Sequence, residues 1–319
     1  MDTRLRPVRT MNSHGACSRS RYGVVKSYPY NVQVWQVNSV RIAFISGDYL
    51  LEPRRNNLPP INVNNKVNNM ITNKADYDAA FSGIIGEEYE LLNLICPAAT
   101  EMSRLLGLAV SDYPQESGSI LSIVELGGGT GITTLSLLNA KDKIHIVSVD
   151  NEPVMQNQAK KHLQRWVDEE KLAFCGDDAL TALINLASET VDLVVSAYSL
   201  HNFLNDYREA VIKEIFRVLK QGGALINADR YALDDVSEHT HCIQQEVSRY
   251  FKVLTGINRI DLLEHWILHL FSDESENHVM RETISINQMR NAGFSDITVT
   301  HRHEVNAMIK AIKPMDLTT

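Results

Sequence analysis

The chain has 319 residues, which is long enough for one large or two modest domains with a buried core. No apolar run reaches the length of a membrane-spanning helix, so we expect no membrane contact. The net charge of -8 is uneven, since residues 1–69 hold ten Lys/Arg against three Asp/Glu and the rest holds 21 against 36. An acidic body argues against a broad nucleic-acid-binding surface. The four cysteines lack paired spacing, which argues against a disulfide framework and favours a reducing, cytoplasmic location.

Residues 1–70 differ in composition from the rest of the chain. Residues 1–30 contain six basic residues and one acid, and residues 56–69 contain seven asparagines. We expect a disordered or non-native extension here, with organellar import through an Arg-rich transit peptide as the alternative. An apolar patch at 40–51 is suited to a hairpin, and we expect no catalysis in this segment.

The folded domain is predicted at 71–319, and strands and helices alternate through its middle. Apolar spacing predicts a helical cap over 75–112, in which Tyr89 is a candidate to cover a bound cofactor. Crossovers of helical length imply a parallel sheet. Strands are predicted at Ile120–Leu126, Lys143–Val149, Leu172–Phe174, Val191–Ala197 and Ala224–Ala228, and helices at Thr133–Asn139, Pro153–Glu169, Ala179–Ala187 and Tyr207–Lys220.

The last part of the predicted domain contains a pair of glycines, a helical insert and a hairpin. Gly222-Gly223 is predicted to end the last crossover helix. Residues 231–280 form a predicted helical insert, including Asp261–Phe271. Ile297–Thr300 and Ala307–Ile312 are close enough to predict an antiparallel hairpin at the sheet edge.

The stretch IVELGGGTGITT, residues 123–134, is typical of a strand, a glycine turn and a helix start. Such a turn lets backbone N–H groups and the helix dipole face a ligand without Cβ atoms in between. Dinucleotide-binding and methyl-transfer folds both use it. In a nicotinamide-type GxGxxG pattern from Gly127 the third glycine falls at Ile132, and no Tyr-x-x-x-Lys pair follows the fourth strand. Both observations argue against an oxidoreductase.

Carboxylates follow the next two strands, at the sheet edge where ligands bind in open α/β folds. Asp150 is suited to accept both hydroxyls of an adenosine ribose, and a helix N-cap is the alternative. In FCGDDAL, Asp177 or Asp178 is suited to meet an adenine amino group, with helix capping again as the alternative.

The fourth strand ends in VVSAYSLHNF, beside the glycine turn. Ser196, Ala197 and Tyr198 are predicted near the reacting centre, and Tyr198 is a candidate catalytic residue. His201 is a candidate general base, or a cap of the following helix.

This order of motifs resembles the class I S-adenosylmethionine-dependent methyltransferases over about residues 75–313, in VELGGGTG, Asp150, FCGDD, VDLVVSAYSLHNF and FRVLKQGGALINADR with its terminal hairpin. The resemblance implies an α/β fold with a seven-stranded Rossmann-like sheet, mostly parallel with a C-terminal antiparallel hairpin, plus a helical lid. It implies S-adenosylmethionine as cofactor and in-line displacement at an activated sulfonium methyl, for which the protein mainly supplies proximity and alignment. Cofactor-binding roles are implied for Glu125, Gly127, Gly129, Gly131, Asp150, Asn151, Met155, Asp177, Asp178, Ser196, Ala197 and Tyr89.

A narrower resemblance links FSGIIGEEYELL, GGALINADRYALDD, YFKVLTGIN and MRNAGFSDITV to the carboxy-S-adenosylmethionine synthases of tRNA wobble-uridine modification. Ala197 stands where that family is expected to have Asn. This family is the alternative function, and a cofactor-binding protein without turnover is a third.

Three histidine patterns have metal-ligand spacing: His239–Cys242, His265 with His269, and His301–His303. The helical pair lacks the Glu of a zinc-hydrolase motif, so we expect core or solvated histidines and no metal.

We expect a small-molecule methyl acceptor, selected by a lid of residues 75–110 and 231–280. Nucleic acid is disfavoured by the acidic body, although a tRNA acceptor stays open because a partner protein could supply positive charge. The apolar helix DLLEHWILHLF is suited to a homodimer interface as well as to a lid.

Overall fold

A computed structural model of the chain describes residues 31–37, 40–46 and 93–315, with the backbone alone described in the first two ranges. Those two ranges form an antiparallel hairpin of β1 (Asn31–Val37) and β2 (Val40–Ser46). The rest of residues 1–92, which includes Tyr89 and most of the predicted cap, lies outside the described residues. The expectations for the N-terminal extension and for Tyr89 therefore stay predictions. Among the described residues, no helix has the length and apolar character needed to cross a membrane.

Helices and strands alternate along the folded domain. The helices are α1 (Pro97–Ser111), α2 (Ile132–Leu138), α3 (Pro153–Asp168), α4 (Ala179–Ile184), α5 (Asn205–Val218), α6 (Val236–Gly256), α7 (Ile260–Asp273) and α8 (Glu282–Ala292). The strands are β3 (Leu121–Leu126), β4 (Ile144–Val149), β5 (Leu172–Cys175), β6 (Val191–Ala197), β7 (Leu219–Arg230), β8 (Ser295–His303) and β9 (Asn306–Ile312).

The seven strands from β3 to β9 form one sheet in the order β5-β4-β3-β6-β7-β9-β8. The pairs from β5 to β7 are parallel, and β9 runs antiparallel to both of its neighbours. This confirms the predicted mixed sheet with a C-terminal hairpin. The chain order reverses between β3 and β6, which opens a crevice at the carboxyl ends of these strands, where α/β proteins bind ligands.

Helices cover both faces of the sheet. On one face α1, α2 and α3 pack through Leu106, Leu135 and Leu163, each with an exposed fraction of 0%. On the other face α4, α5 and α8 pack through residues such as Leu183 and Ile215. A third apolar cluster joins α6 and α7 of the insert to the segment just before α1, through Ile95, Tyr250, Leu254, Leu262, Leu263 and Leu270.

One feature of the last crossover and one later helix differ from the predictions. The prediction that Gly222-Gly223 ends α5 was wrong, because the helix ends at Val218 and both glycines lie inside β7. Leu219 already pairs with Val191, and the register shifts before the next paired residue. Gly222 has a φ of +75° and donates its N–H to the Lys313 carbonyl at 2.9 Å, so the glycines shape this irregular strand start. α8 was not predicted.

Candidate active site

The glycine turn from Gly127 to Gly131 connects β3 to α2 at the crevice. Gly127 has a φ of +74°, and a Cβ on it would lie 2.4 Å from both Cβ and Oγ of Ser199. Gly131 has a φ of +92°, and its Cβ would lie 2.8 Å from Cδ1 of Leu163. Only glycine fits at these two positions, because both the backbone conformation and the neighbours exclude a side chain. The turn can therefore pass close to the loop after β6 and to α3.

Asp150 follows β4 and fastens the neighbouring strand end to the turn. One carboxylate oxygen accepts the Gly129 N–H at 2.7 Å, and the other accepts the Glu152 N–H at 2.8 Å. Burial raises the pKa of this carboxyl, and the two N–H donors oppose the shift. Each oxygen keeps a lone pair, so the carboxylate can still accept two hydroxyls of a ribose.

Glu125 and Ser196 lie within the sheet, behind the crevice rather than in its lining. Both side chains have an exposed fraction of 0%. The Ser196 hydroxyl donates to the Leu126 carbonyl at 3.1 Å and so braces β6 against β3. One Glu125 oxygen accepts from the Thr134 hydroxyl at 2.6 Å, and the other has no hydrogen-bond partner among the described residues. Burial raises the pKa of Glu125 to about 7.

The tandem acids after β5 have separate places. Asp178 caps α4, and its carboxylate accepts from the N–H groups of Leu180 and Thr181, from the Thr181 hydroxyl and from the Tyr207 hydroxyl. The two hydroxyls are the main reason that the pKa of Asp178 is lowered. Asp178 therefore caps the helix, which was the alternative role predicted for it. Asp177 and Asp178 both line the crevice.

The crevice is a cleft of about 860 Å³ at the carboxyl ends of the central parallel strands. Its walls come from the glycine turn, the β4 and β5 ends, the loop after β6, and His278 from the loop before α8. Of the predicted site residues it brings together Gly127, Gly129, Asp150, Asn151, Met155, Asp177, Asp178 and Tyr198.

Tyr198 lines the cleft. It has a left-handed backbone with a φ of +51°, and its hydroxyl donates to the Asn306 side chain at 2.7 Å. Burial, with added repulsion from nearby acidic groups, holds the pKa of this phenol well above its usual range. Tyr198 therefore keeps its proton and serves as a fixed wall with one polar tip.

His201 lies behind that wall, on a short 3₁₀ turn at Leu200–Asn202, with its ring centroid 6.2 Å from that of Tyr198. Its Nδ1 bonds to the Asp229 carboxylate at 2.5 Å, and its side chain is 6% exposed. Burial alone would lower the pKa of this imidazole, but the Asp229 and Asp273 carboxylates outweigh it and raise the pKa. The His201–Asp229 pair leaves Nε2 as the nitrogen available for chemistry.

Arg208 is a functional neighbour that sequence reasoning missed. It is 1% exposed and donates to the carbonyls of Leu200, His201, Phe203 and His278. It thereby clamps the His201 turn to the loop before α8. Its place among Val211, Ile212 and Ile215 on the apolar face of α5 was the available signal.

A buried acidic ring surrounds Arg230 at the end of β7, next to His201. The guanidinium contacts Glu246 at 2.7 Å, Glu274 at 3.4 Å and Asp273 at 3.8 Å. His239 bonds to Glu274 at 2.6 Å. His269 reaches the same ring from α7, so the structure separates it from His265 and brings it to His201.

Comparison with known proteins agrees with this geometry. Residues 123–223 match the family model of a methyltransferase domain. Carboxy-S-adenosyl-L-methionine synthase of Cronobacter sakazakii is 24% identical, over 68% of this chain and 84% of its own length. The enzyme of the same name from Shewanella sp. (strain MR-7) is 27% identical, over 70% and 86%.

A solved O-methyltransferase family protein from Burkholderia thailandensis matches the fold, with a TM-score of 0.50 and 14% identity. The match covers 78% of this chain and 63% of that protein, so the chain spans less than two thirds of it. At this identity the likeness shows the fold alone.

Residues 123–223 are a methyltransferase domain of the class I, S-adenosylmethionine-dependent type. This domain and the fold support S-adenosylmethionine as the cofactor. The residues fit that cofactor, since the turn has no Cβ in the way and Asp150 has unused lone pairs at the cleft.

Proposed function

We propose that the protein methylates a small-molecule acceptor that binds on the Tyr198 side of the cleft. The observation that carries this proposal is the position of Tyr198, which lines the cleft and also neighbours the buried polar cluster around His201. A cofactor cleft and a cluster of polar side chains on either side of one residue are suited to group transfer between two bound molecules.

The residues supply alignment more than activation. S-adenosylmethionine, when bound, supplies a sulfonium methyl group that is already activated for in-line displacement. The glycine turn and Asp150 hold the nucleoside end of the cleft, and Arg208 fixes the His201 turn on the acceptor side. Because Tyr198 keeps its proton, we assign to His201 the role of accepting a proton from the acceptor.

Charge on the insert supports a small acceptor over a nucleic acid. The sequence places basic residues there, but Arg249 forms a two-fold hydrogen bond with Glu304, and Arg259 bonds with Asp261. These cations are already neutralised within the chain, so they add little attraction for phosphates.

Transfer is tested by incubating the protein with S-adenosylmethionine that carries a trideuterated methyl group and with a deproteinised cell extract. We expect S-adenosylhomocysteine to form and one extract component to gain the labelled methyl group, as detected by mass spectrometry. The Asp150→Ala variant is the control. Cofactor binding without any product from any extract fraction would contradict methyl transfer and favour a binding protein without turnover.

A second candidate is carboxy-S-adenosylmethionine synthase activity. It is favoured because two enzymes of that name match 68% and 70% of this chain. Recognition of an added carboxylate calls for a free cation. The two arginines buried beside the site, Arg208 and Arg230, both use their guanidinium groups on protein acceptors. Mass spectrometry of the ligand that co-purifies with the protein separates the candidates, since a carboxylated cofactor would support the synthase.

We also propose a cytoplasmic location. Cys96, Cys175 and Cys242 are all free thiols, and such cysteines suit a reducing compartment. Imaging of the full chain with a C-terminal fluorescent tag tests this, and an organellar signal would favour import through the basic N-terminal segment.

A further inference from the structure

Two histidines and one aspartate form a cluster next to Tyr198. Nε2 of His201 lies 3.8 Å from Oδ2 of Asp273, and Nε2 of His269 lies 3.6 Å from the same oxygen. One ligand atom from each residue lies within 4.8 Å of the other two. The separations exceed hydrogen-bond distance, yet they approach the spacing of about 3.4 Å between ligand atoms around a tetrahedral ion with bonds of about 2.1 Å.

The orientation of His201 is set for coordination. Its Nδ1 is bound to the Asp229 carboxylate at 2.5 Å, which favours the Nδ1–H tautomer and leaves Nε2, 3.8 Å from Oδ2 of Asp273, as the nitrogen that can bind an ion. A carboxylate behind a ligating histidine is the usual support that fixes ring orientation and raises ligand basicity. His269 and Asp273 are four residues apart and therefore share one face of α7.

Charge in this cluster also favours a cation. Three carboxylates, those of Glu246, Asp273 and Glu274, surround the Arg230 guanidinium, and a fourth, that of Asp229, bonds to His201. Glu246 and Glu274 neutralise Arg230, and Asp229 is held by His201. The Asp273 carboxylate is 8% exposed and has ion-pair contacts at 3.6–3.8 Å only among the described residues. A buried carboxylate without a close partner is costly unless a cation is supplied.

We propose that His201, His269 and Asp273 form a binding site for a divalent first-row transition metal ion, with Asp229 orienting His201. Two imidazoles and one carboxylate are a ligand set of zinc and of non-haem iron sites, in which the remaining positions stay open for water or substrate. The site is argued from its own geometry and goes beyond methyl transfer. If the proposed methyl transfer holds, an ion here lies beside Tyr198 and can bind an acceptor oxygen and acidify it.

A general base at His201 is the competing role for the same Nε2 atom. A general base at His201 would work without His269 and Asp273, whereas a metal site needs all three side chains as ligands. Metal coordination at His201 reverses the expectation from sequence that no metal is bound. That expectation came from local spacing, and His201 is 68 residues from His269 along the chain, so no local pattern joins them.

Metal binding is tested on the full chain after treatment with a chelator and removal of that chelator. Co²⁺ is titrated while its visible d–d absorption is followed, and Zn²⁺ is titrated by calorimetry. We expect binding of one equivalent of either ion, with Co²⁺ displaced by Zn²⁺. The His269→Ala and Asp273→Asn variants should each weaken binding by more than about tenfold.

Controls separate this site from other histidines and from misfolding. His265→Ala changes a histidine one turn away on α7, outside the cluster, and should leave the affinity for Co²⁺ unchanged. Titration of each variant with S-adenosylmethionine reports whether the fold and the cofactor site are intact. No Co²⁺ absorption in the wild-type chain, or equal Co²⁺ affinity in His269→Ala and wild type, would overturn the proposal. If His269→Ala and Asp273→Asn lose metal binding and still bind S-adenosylmethionine, the metal site is supported, whether or not methyl transfer is observed.

Discussion

Glu125 is a buried acid directly beneath the glycine turn. A Cβ on Gly128 would lie 3.2 Å from its Oε2 atom, so the carboxyl group and the turn are in close contact. Burial raises the pKa of this group from 4.5 to about 7, while the hydroxyls of Thr134 and Ser148 oppose the shift. Near neutral pH the carboxyl group is thus poised between its two protonation states.

Glu125 should make stability fall as pH rises. The folded chain holds this proton more tightly than the unfolded chain between pH 4.5 and about 7, so the free energy of unfolding decreases across that window and then levels off. The decrease is at most about 3 kcal/mol, from 1.36 kcal/mol per pKa unit. Denaturant unfolding of wild type and Glu125→Gln at several pH values measures it. Equal slopes in the two proteins would show that Glu125 does not titrate here.

Asp150 should matter for cofactor affinity more than for folding. We expect Asp150→Ala to weaken S-adenosylmethionine binding at least tenfold, about 1.4 kcal/mol, because ribose contacts and the hold on Gly129 are lost together. The matched control is Asp192→Ala, which also removes a carboxylate that accepts a backbone N–H, from Ser122, but at the opposite end of the strands. Calorimetric titration should show no change for Asp192→Ala. A similar affinity for wild type and Asp150→Ala would make the ribose assignment wrong.

At the scale of elements, the β3–turn–α2 unit depends on close approach to the loop after β6. Gly127→Ala should destabilise the fold and abolish tight cofactor binding, because the new Cβ meets Ser199 at 2.4 Å. Gly118→Ala is the control, since Gly118 has a φ of +90° with no atom within 4 Å of its would-be Cβ. That variant should cost only about 1 kcal/mol of backbone strain.

Thermal unfolding and S-adenosylmethionine titration of both variants give the comparison. Their difference isolates the steric clash from the strain that both share. Equal losses of stability and affinity in the two variants would mean that contact with Ser199 does not shape the site.

The regular elements were predictable because their signals are local. β6 was predicted with its observed bounds, and α3 within one residue, since a proline at the first helical position and an apolar period mark it. β7 was not, because its early start depends on pairing with Val191 and on the bulge at Gly222. Such boundaries depend on pairing with a strand that is remote in sequence, so the residues of the segment itself do not predict them.

The candidate site also has one part that could be predicted from the sequence and one part that could not. The side of the site that binds the cofactor lies on consecutive strand ends, so Gly127, Asp150 and Asp178 could be placed from motif order. The acceptor side is assembled from remote segments, and neither the Arg230 ring nor the meeting of His201 with Asp273 has a local signal. Glu125 and Ser196 were predicted at the cofactor from the motif, and both side chains are buried on central strands, where they bond to Thr134 and to the Leu126 carbonyl.

At the scale of the whole molecule, the insert packs against the segment that precedes α1. Ile95, which precedes α1, packs in one apolar cluster with α6 and α7. The same two helices supply Glu246 and Asp273 to the ring around Arg230. A lid that also carries polar ligands would couple closure to acceptor recognition, which is consistent with the proposed role of residues 231–280 in selecting the acceptor.

The central claim is that the glycine turn and Asp150 hold S-adenosylmethionine. Calorimetric titration of the full-length protein with S-adenosylmethionine, and in parallel with NAD, tests this most directly. We predict one binding event with S-adenosylmethionine and no heat with NAD, because the turn lacks the third glycine of a nicotinamide site and has Ile132 there. Absence of binding to S-adenosylmethionine, or tighter binding to NAD, would contradict it.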